Sequence, residues 1–345
     1  MPWGGKGRRW GAGDWGTAGD WSGRSVAWPV LQNASMMKQG LGSILVLAVL
    51  GFAIYALIKQ VRGLDPAEVL LALRSLQPLA LVVAAGFLGA CYVAYAGMER
   101  LSAAHAGKSL TIPQAVGLAV VAQGISLTTG KGVLVAGAVR LRILGRWGCD
   151  VAQTILITFL VSLHGNAGLA FLIAIVCLLF GPWAWAWWVG LLVLGGVGLW
   201  LVICAYAQPF LIPEKFTGGR SITPPNLPDA LRGIALGVGE KLACAMLAWE
   251  LLPGDPGIAL GTFLAVILVA LAVARFSQVP GGLGVLEVTV IGLWPVPIDP
   301  YKAQLLAGLL AFRLAYYIVP LLVALPLLAF LGWWRKGTPC ATESV

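Results

Sequence analysis

A proline, three glycines and a carboxylate interrupt an apolar stretch of the chain at Val279-Pro280-Gly281-Gly282-Leu283-Gly284-Val285-Leu286-Glu287. Apolar sequence leads into this segment from Gly257 to Ala274 and out of it from Val288 to Trp294. Proline removes a backbone donor and glycine weakens a helix, so the helix that the flanks favour should break here. Inside a bilayer, backbone released from a helix has to be satisfied by protein or by a water-filled cavity. The segment therefore reads as the floor or wall of a polar site within the membrane.

The membrane setting follows from composition. Of 345 residues, 59% are hydrophobic and 11% charged, and several apolar runs reach the roughly 20 residues that cross a bilayer as helix. The runs are continuous rather than alternating, which excludes a membrane β-barrel. The fold class is all-α, a polytopic integral membrane protein. A formal charge of +9 points to topogenic loops and anionic headgroups rather than to nucleic acid. The cysteines Cys91, Cys149, Cys177, Cys204, Cys244 and Cys340 are scattered without metal-ligand spacing, so neither a disulfide framework nor a metal site is legible, and no cofactor is called for.

Residues 1–38, rich in Gly, Trp and Arg, read as a disordered tail or as the product of an early start codon, with 39–336 forming the helical membrane domain and 337–345 a short C-terminal tail. Leu41 to Ile58 is the first spanning candidate. Asp65-Pro66 opens a short interfacial helix, and Leu79 to Gly97 is the second span. Ile112 to Leu127 is short and runs into Thr128-Thr129-Gly130-Lys131-Gly132, where a phosphate-binding loop fails because Gly132 stands where Ser or Thr is needed. The segment continues past Arg140, Arg142 and Arg146 to Trp147-Gly148. Val151 to Phe180 and Leu191 to Ala207 are further spans, the former carrying His164. In Leu231 to Leu252, the residues Gly233, Gly237, Lys241 and Ala245 recur at four-residue steps and make a small-residue face suited to close packing. Lys241 and its neighbour Glu240 would point into the bundle, as a pair or toward a hydrated cavity. A last helix from Tyr301 to Trp334 carries Arg313, and Arg335-Lys336 beyond it favours a cytoplasmic C-terminus. The reading gives about eight spans, two of them interrupted.

The two interrupted segments echo one another. Ser126 and, four residues on, Gly130-Lys131 match Ser277 and, four residues on, Gly281-Gly282. Each is followed by an apolar half-segment ending in tryptophan, Trp147 and Trp294. Broken segments at corresponding places of two halves mark binding sites in transporters built from repeats. On this reading Arg140 and Arg142 from one half and Glu287 from the other face a common cavity. The two arginines are two residues apart and share no face of a regular helix, so their convergence requires irregular backbone.

The segment Val279 to Glu287, the run Gly137-Ala138-Val139-Arg140-Leu141-Arg142 followed by Trp147-Gly148, the ending Leu251-Leu252-Pro253, and Phe312-Arg313-Leu314-Ala315-Tyr316-Tyr317-Ile318-Val319-Pro320 occur in this order. Together they resemble the membrane domain of the bifunctional lysylphosphatidylglycerol synthetase/flippase family, also called multiple peptide resistance factors, over roughly residues 80 to 335. The resemblance implies a bacterial inner-membrane protein that moves an aminoacylated phospholipid to the outer leaflet and thereby protects against cationic antimicrobial peptides. Two departures stand out. The chain stops at Val345 without the family's soluble transferase domain, and Tyr95 is followed by Ala96 where the family commonly has an acidic residue, with Glu99 the nearest carboxylate.

The expected function is translocation of an aminoacylated or other anionic or zwitterionic phospholipid. Arginine offers a phosphate diester two donors at once, and Glu287 helped by Glu240 would receive an ammonium headgroup. The candidate substrate-binding residues are Arg140, Arg142, Glu240, Lys241, Gly281, Gly282, Gly284, Glu287 and Arg313. Membrane phospholipid is the expected partner, with room for a separate soluble aminoacyl transferase and for a homo-oligomer, and no nucleic acid. An intramembrane transferase using Glu287, Glu240 or His164, and a non-catalytic partner of a lipid-synthesis enzyme, stay open as alternatives.

Overall fold

Side chains that cap backbone donors and prolines in first turns set where the helices begin. Gln114 accepts from the Thr111 N–H at 3.0 Å ahead of one helix. The Asp150 carboxylate accepts from the Gln153 N–H at 2.7 Å ahead of the next long one, and Asn226 accepts from Asp229 N–H at 2.8 Å ahead of another; each satisfies a donor that the first turn leaves free. The computed structural model describes residues 74, 76–129, 132–206, 225–299 and 301–333. The tail 1–38, the Leu41–Ile58 span, the Asp65 helix, Gly130-Lys131 of the echo, most of the Pro-rich loop and residues 337–345 lie outside them. The described residues contain no strand.

The helices are α1 (Pro78–His105), α2 (Ile112–Ser126), α3 (Gly132–Arg146), α4 (Val151–Phe180), α5 (Ala186–Tyr206), α6 (Leu227–Glu250), α7 (Leu260–Phe276), α8 (Val285–Leu293), α9 (Lys302–Arg313) and α10 (Val319–Trp333). A π-helical turn, Leu314–Ile318, joins α9 to α10. Among the described residues, α1, α4, α5 and the composite Gln304–Leu331 are long and apolar enough to cross a membrane. The apolar helices α2 and α7 have 15 and 17 residues, about 22–26 Å at 1.5 Å per residue, which falls short of a bilayer core of about 30 Å.

The short helices fold back in pairs. Lys108, ahead of α2, donates to the carbonyl of Gly148, just past α3, at 3.2 Å, and Gln153 donates to the carbonyl of Ala106 at 3.2 Å. Entry and exit of the α2–α3 unit therefore lie side by side. In the α7–α8 unit the rings of Phe263 and Trp294, one near each end, pack edge to face with centroids 6.4 Å apart. Both interrupted segments are helical hairpins. Their apolar content does not distinguish a helix that continues past a break from one that turns back.

The two hairpins enter from opposite ends of the bundle. Arg146, at the base of the first, donates to the Leu331 carbonyl near the end of α10 at 3.2 Å, and α4 starts nearby at Val151. Phe180, at the far end of α4, packs against Gly261 at the base of the second hairpin. Helix α4, with 30 residues, is about 45 Å long, so the bases are far apart and the tips face one another. Two apolar clusters support this arrangement. One gathers Leu118, Val121, Ala122, Val139, Ile143 and Leu144 of the first hairpin. The other is built on Phe263, Val266, Leu286, Val290 and Phe312 around the second.

Helix α6 crosses α4 closely along its small face. A Cβ on Gly168 would come 2.3 Å from the backbone of Gly237, and the His164 ring covers Gly233 closely enough to exclude a Cβ. His164 is thus packed between helices. The small-residue periodicity of α6 identifies its contact face, and Lys241 continues that face one turn beyond Gly237.

Candidate functional site

Each hairpin tip satisfies the carbonyls that its break releases. At the first, the hydroxyls of Ser126, Thr128 and Thr129 donate to the carbonyls of Gln123 (3.3 Å), Ile125 (2.8 Å) and Ser126 (3.0 Å). At the second, Ser277 donates to the Ala274 carbonyl at 2.7 Å and the Gln278 amide to the Arg275 carbonyl at 3.1 Å. These bonds let helices end away from bulk water. The second tip is the more contorted. Gln278, Gly281, Gly282 and Gly284 all have left-handed φ, between 57° and 75°, a region that glycine enters without the penalty a Cβ brings.

Between the tips lies a cavity of about 320 Å³. Ser126 and Gly132 from the first tip and Gln278, Val279 and Gly282 from the second line it, together with Gly165 midway along α4. Its charged lining is Arg140, Glu240, Lys241 and Arg275, and Tyr95, Tyr316 and Tyr317 supply phenolic walls.

The charges are arranged in pairs with one exception. Arg140 of α3 is 1% exposed and forks onto the carboxylate of Glu99 in α1, which is fully buried; its Nε donates to both oxygens at 3.0 and 3.1 Å and its Nη2 makes a further bond to the same group. Such a bidentate pair is the geometry in which a buried arginine is tolerated. Lys241 Nζ lies 2.7 Å from Glu240 Oε2, and the Tyr316 hydroxyl donates to Glu240 Oε1 at 2.9 Å. Arg275, in the last turn of α7, makes no ion pair among the described residues; the carbonyl end of its own helix is the partial negative charge closest in sequence to it.

Of the residues singled out in the sequence, Arg140, Glu240, Lys241 and Gly282 line the cavity, and Arg142, Gly281, Gly284, Glu287 and Arg313 do not. Arg140 and Arg142 sit on one regular helix, so they diverge, and the irregular backbone that would have brought them together is absent between Gly132 and Arg146. Glu287 does not turn toward the cavity. Arg313 holds it, with Nε 2.5 Å from Oε1 and Nη2 2.6 Å from Oε2, and the same Nη2 donates to the Gly282 carbonyl at 3.0 Å. Arg313 and Glu287 thereby fix the second tip from behind.

Three participants escaped the sequence reading. Glu99 was visible as a carboxylate in an apolar helix, itself a sign of intramembrane function, but its partner lies 41 positions away. Arg275 follows directly on the apolar run that ends at Ala274 and is easily taken for a boundary residue. Tyr316 reaches Glu240 from the π-helical turn, where the register of a regular helix no longer predicts which side chains face inward.

No family model matches the chain. It is 28% identical over 242 residues, 67% of this chain and 72% of the relative, to the uncharacterized protein slr0712 of Synechocystis sp.. It is also 28% identical over 289 residues, 79% of this chain and 86% of the relative, to the inner membrane protein YbhN of Escherichia coli.

Proposed function

We propose that this protein translocates phospholipid across the bacterial inner membrane, with the headgroup passing through the cavity between the two hairpin tips. The observation that carries the reading is the convergence of two oppositely inserted broken hairpins on one charged cavity. Opposed repeats with broken helices at a central site are the architecture of alternating-access carriers. The resemblance to the synthetase/flippase membrane domain supports a lipid as cargo, and the Escherichia coli relative supports the inner membrane.

Topology follows from the same geometry. Four helices pass the length and apolarity criteria, and α6, which carries the Glu240–Lys241 pair inward, makes a fifth crossing among the described residues. The Leu41–Ile58 candidate would be a sixth. The hairpins then enter without crossing, which revises the expected count of about eight. The end of the bundle at the first hairpin's base carries Arg100, Lys108, Arg142, Arg146 and Arg232 with Asp150 and Asp229, and the opposite end carries Glu250, Asp255 and Asp299 with Arg74 and Lys302. By the positive-inside rule the first hairpin enters from the cytoplasm, and the C-terminus lies on that side.

Leaflet exchange of fluorescent phospholipids in liposomes containing the purified chain tests the proposal. Exchange faster than in protein-free liposomes is expected, and Glu240→Gln combined with Lys241→Gln should abolish it. Replacing both partners avoids stranding one buried charge. Exchange at the protein-free rate would refute translocation.

A further inference from the structure

The translocation reading leaves the headgroup open, and the charge inventory of the cavity narrows it. We infer that the cavity takes an anionic phosphate headgroup that carries no compensating amine, with Arg275 as the residue that recognises it. The inference rests on the proposed function and specifies the substrate class of the same site.

Three cations and one carboxylate line the cavity. Glu99 behind Arg140 neutralises that arginine through a bidentate contact, and Lys241 and Glu240 neutralise each other. Arg275 is left as the surplus charge, on the tip of the second hairpin and opposite Gly165 in the middle of α4. A guanidinium with no ion pair among the described residues, at membrane depth and only partly exposed, is costly, and the carbonyl end of a helix offsets only part of a full charge. A phosphate oxygen pair matches the guanidinium fork in both charge and geometry.

The same inventory disfavours an amine. Glu240, the carboxylate in the lining, is already ion-paired with Lys241 and accepts from the Tyr316 hydroxyl. Glu287, the residue that the sequence offered for an ammonium group, is held by Arg313 outside the cavity. An aminoacylated headgroup would bring a further cation to a lining whose carboxylate is already neutralised by Lys241 and whose Arg275 is already in surplus.

The cavity mouth argues for a lipid over a free anion. Val133 and Leu134, the first residues after the first break, line the cavity and are 48% and 73% exposed. A charged interior opening over two exposed aliphatic side chains suits a phosphate whose acyl chains remain outside.

The test uses the full chain purified in detergent and in phosphatidylcholine liposomes. Native mass spectrometry would compare binding of phosphatidic acid, phosphatidylglycerol, phosphatidylcholine and lysyl-phosphatidylglycerol, with inorganic phosphate as competitor; acyl-labelled forms of the four lipids would be followed for exchange. The two anionic lipids should bind and exchange about tenfold or more in preference to the other two, the scale of a lost charge-assisted contact. Arg275→Gln should remove the preference and Arg275→Lys should keep most of it, with both variants unfolding at the wild-type temperature. Equal binding of all four lipids, tighter binding of lysyl-phosphatidylglycerol, or an anionic preference that survives Arg275→Gln would overturn the inference while leaving translocation standing. Competition by millimolar inorganic phosphate as effective as by lipid would overturn the lipid assignment. Anionic preference in binding without exchange of any lipid would uphold the headgroup class and refute the translocation reading instead.

Discussion

In the first hairpin the buried ion pair sits halfway along the returning helix, where Glu99 of α1 grips Arg140. In the second it sits at the tip, where Arg313 of α9 grips Glu287 and the Gly282 carbonyl together. The tips themselves differ in the same sense. The first closes with its own hydroxyls, Ser126, Thr128 and Thr129. The second combines four left-handed residues with a clamp supplied by another helix, so its conformation depends on where α9 stands. Arg313 directly precedes the π-helical turn that presents Tyr316 to Glu240. One helix therefore touches both the back of the second tip and the charged wall of the cavity. A displacement of that helix would reach the second tip and Glu240 at once, and its continuation α10 packs on the first hairpin, with Pro320 close against Gly124.

The largest expected effect separates the two ion pairs. Glu99→Gln strands Arg140 in a fully buried site and should cost about 3–5 kcal/mol of stability. Glu287→Gln acts on a carboxylate that is 20% exposed and should cost about 1–3 kcal/mol. Unfolding of the purified variants in a denaturant series would rank them, and the reverse order would break the comparison. Next in size is Arg313→Lys, which keeps the charge but loses the fork. Hydrogen exchange at Gly282 and Leu283 should then rise by about tenfold, equivalent to about 1.4 kcal/mol, while Leu127 and Thr129 of the first tip stay as they are. The smallest effect belongs to Gln278→Gly. It relieves a left-handed φ of 57° at the loss of a partly solvated hydrogen bond, for a net gain of under about 1 kcal/mol.

Local chemistry was readable in the sequence wherever its cause was local. Proline and glycines between Val279 and Gly284 announce the second break. The four-residue glycine spacing identifies the face of α6 that meets α4. Long-range causes left no such mark. Whether α2 or α7 continues or turns back is decided by contacts such as Lys108 with Gly148 and Phe263 with Trp294. Likewise, the partners of Arg140 and Glu287 are chosen by tertiary packing, which removed Glu287 from the cavity and left Arg275 there.

The most direct test of the account is a plug at Gly165. This residue lines the cavity, and a Cβ added to it meets nothing within 4 Å. Gly165→Leu should fill the space between the tips without disturbing the packing. Stability should stay level or rise by about 0.5–1 kcal/mol, because glycine is a poor residue for a helix interior. Phospholipid exchange in liposomes should fall to the protein-free rate. A folded, stable Gly165→Leu protein that exchanges lipid at the wild-type rate would show that headgroups do not pass between the two hairpin tips.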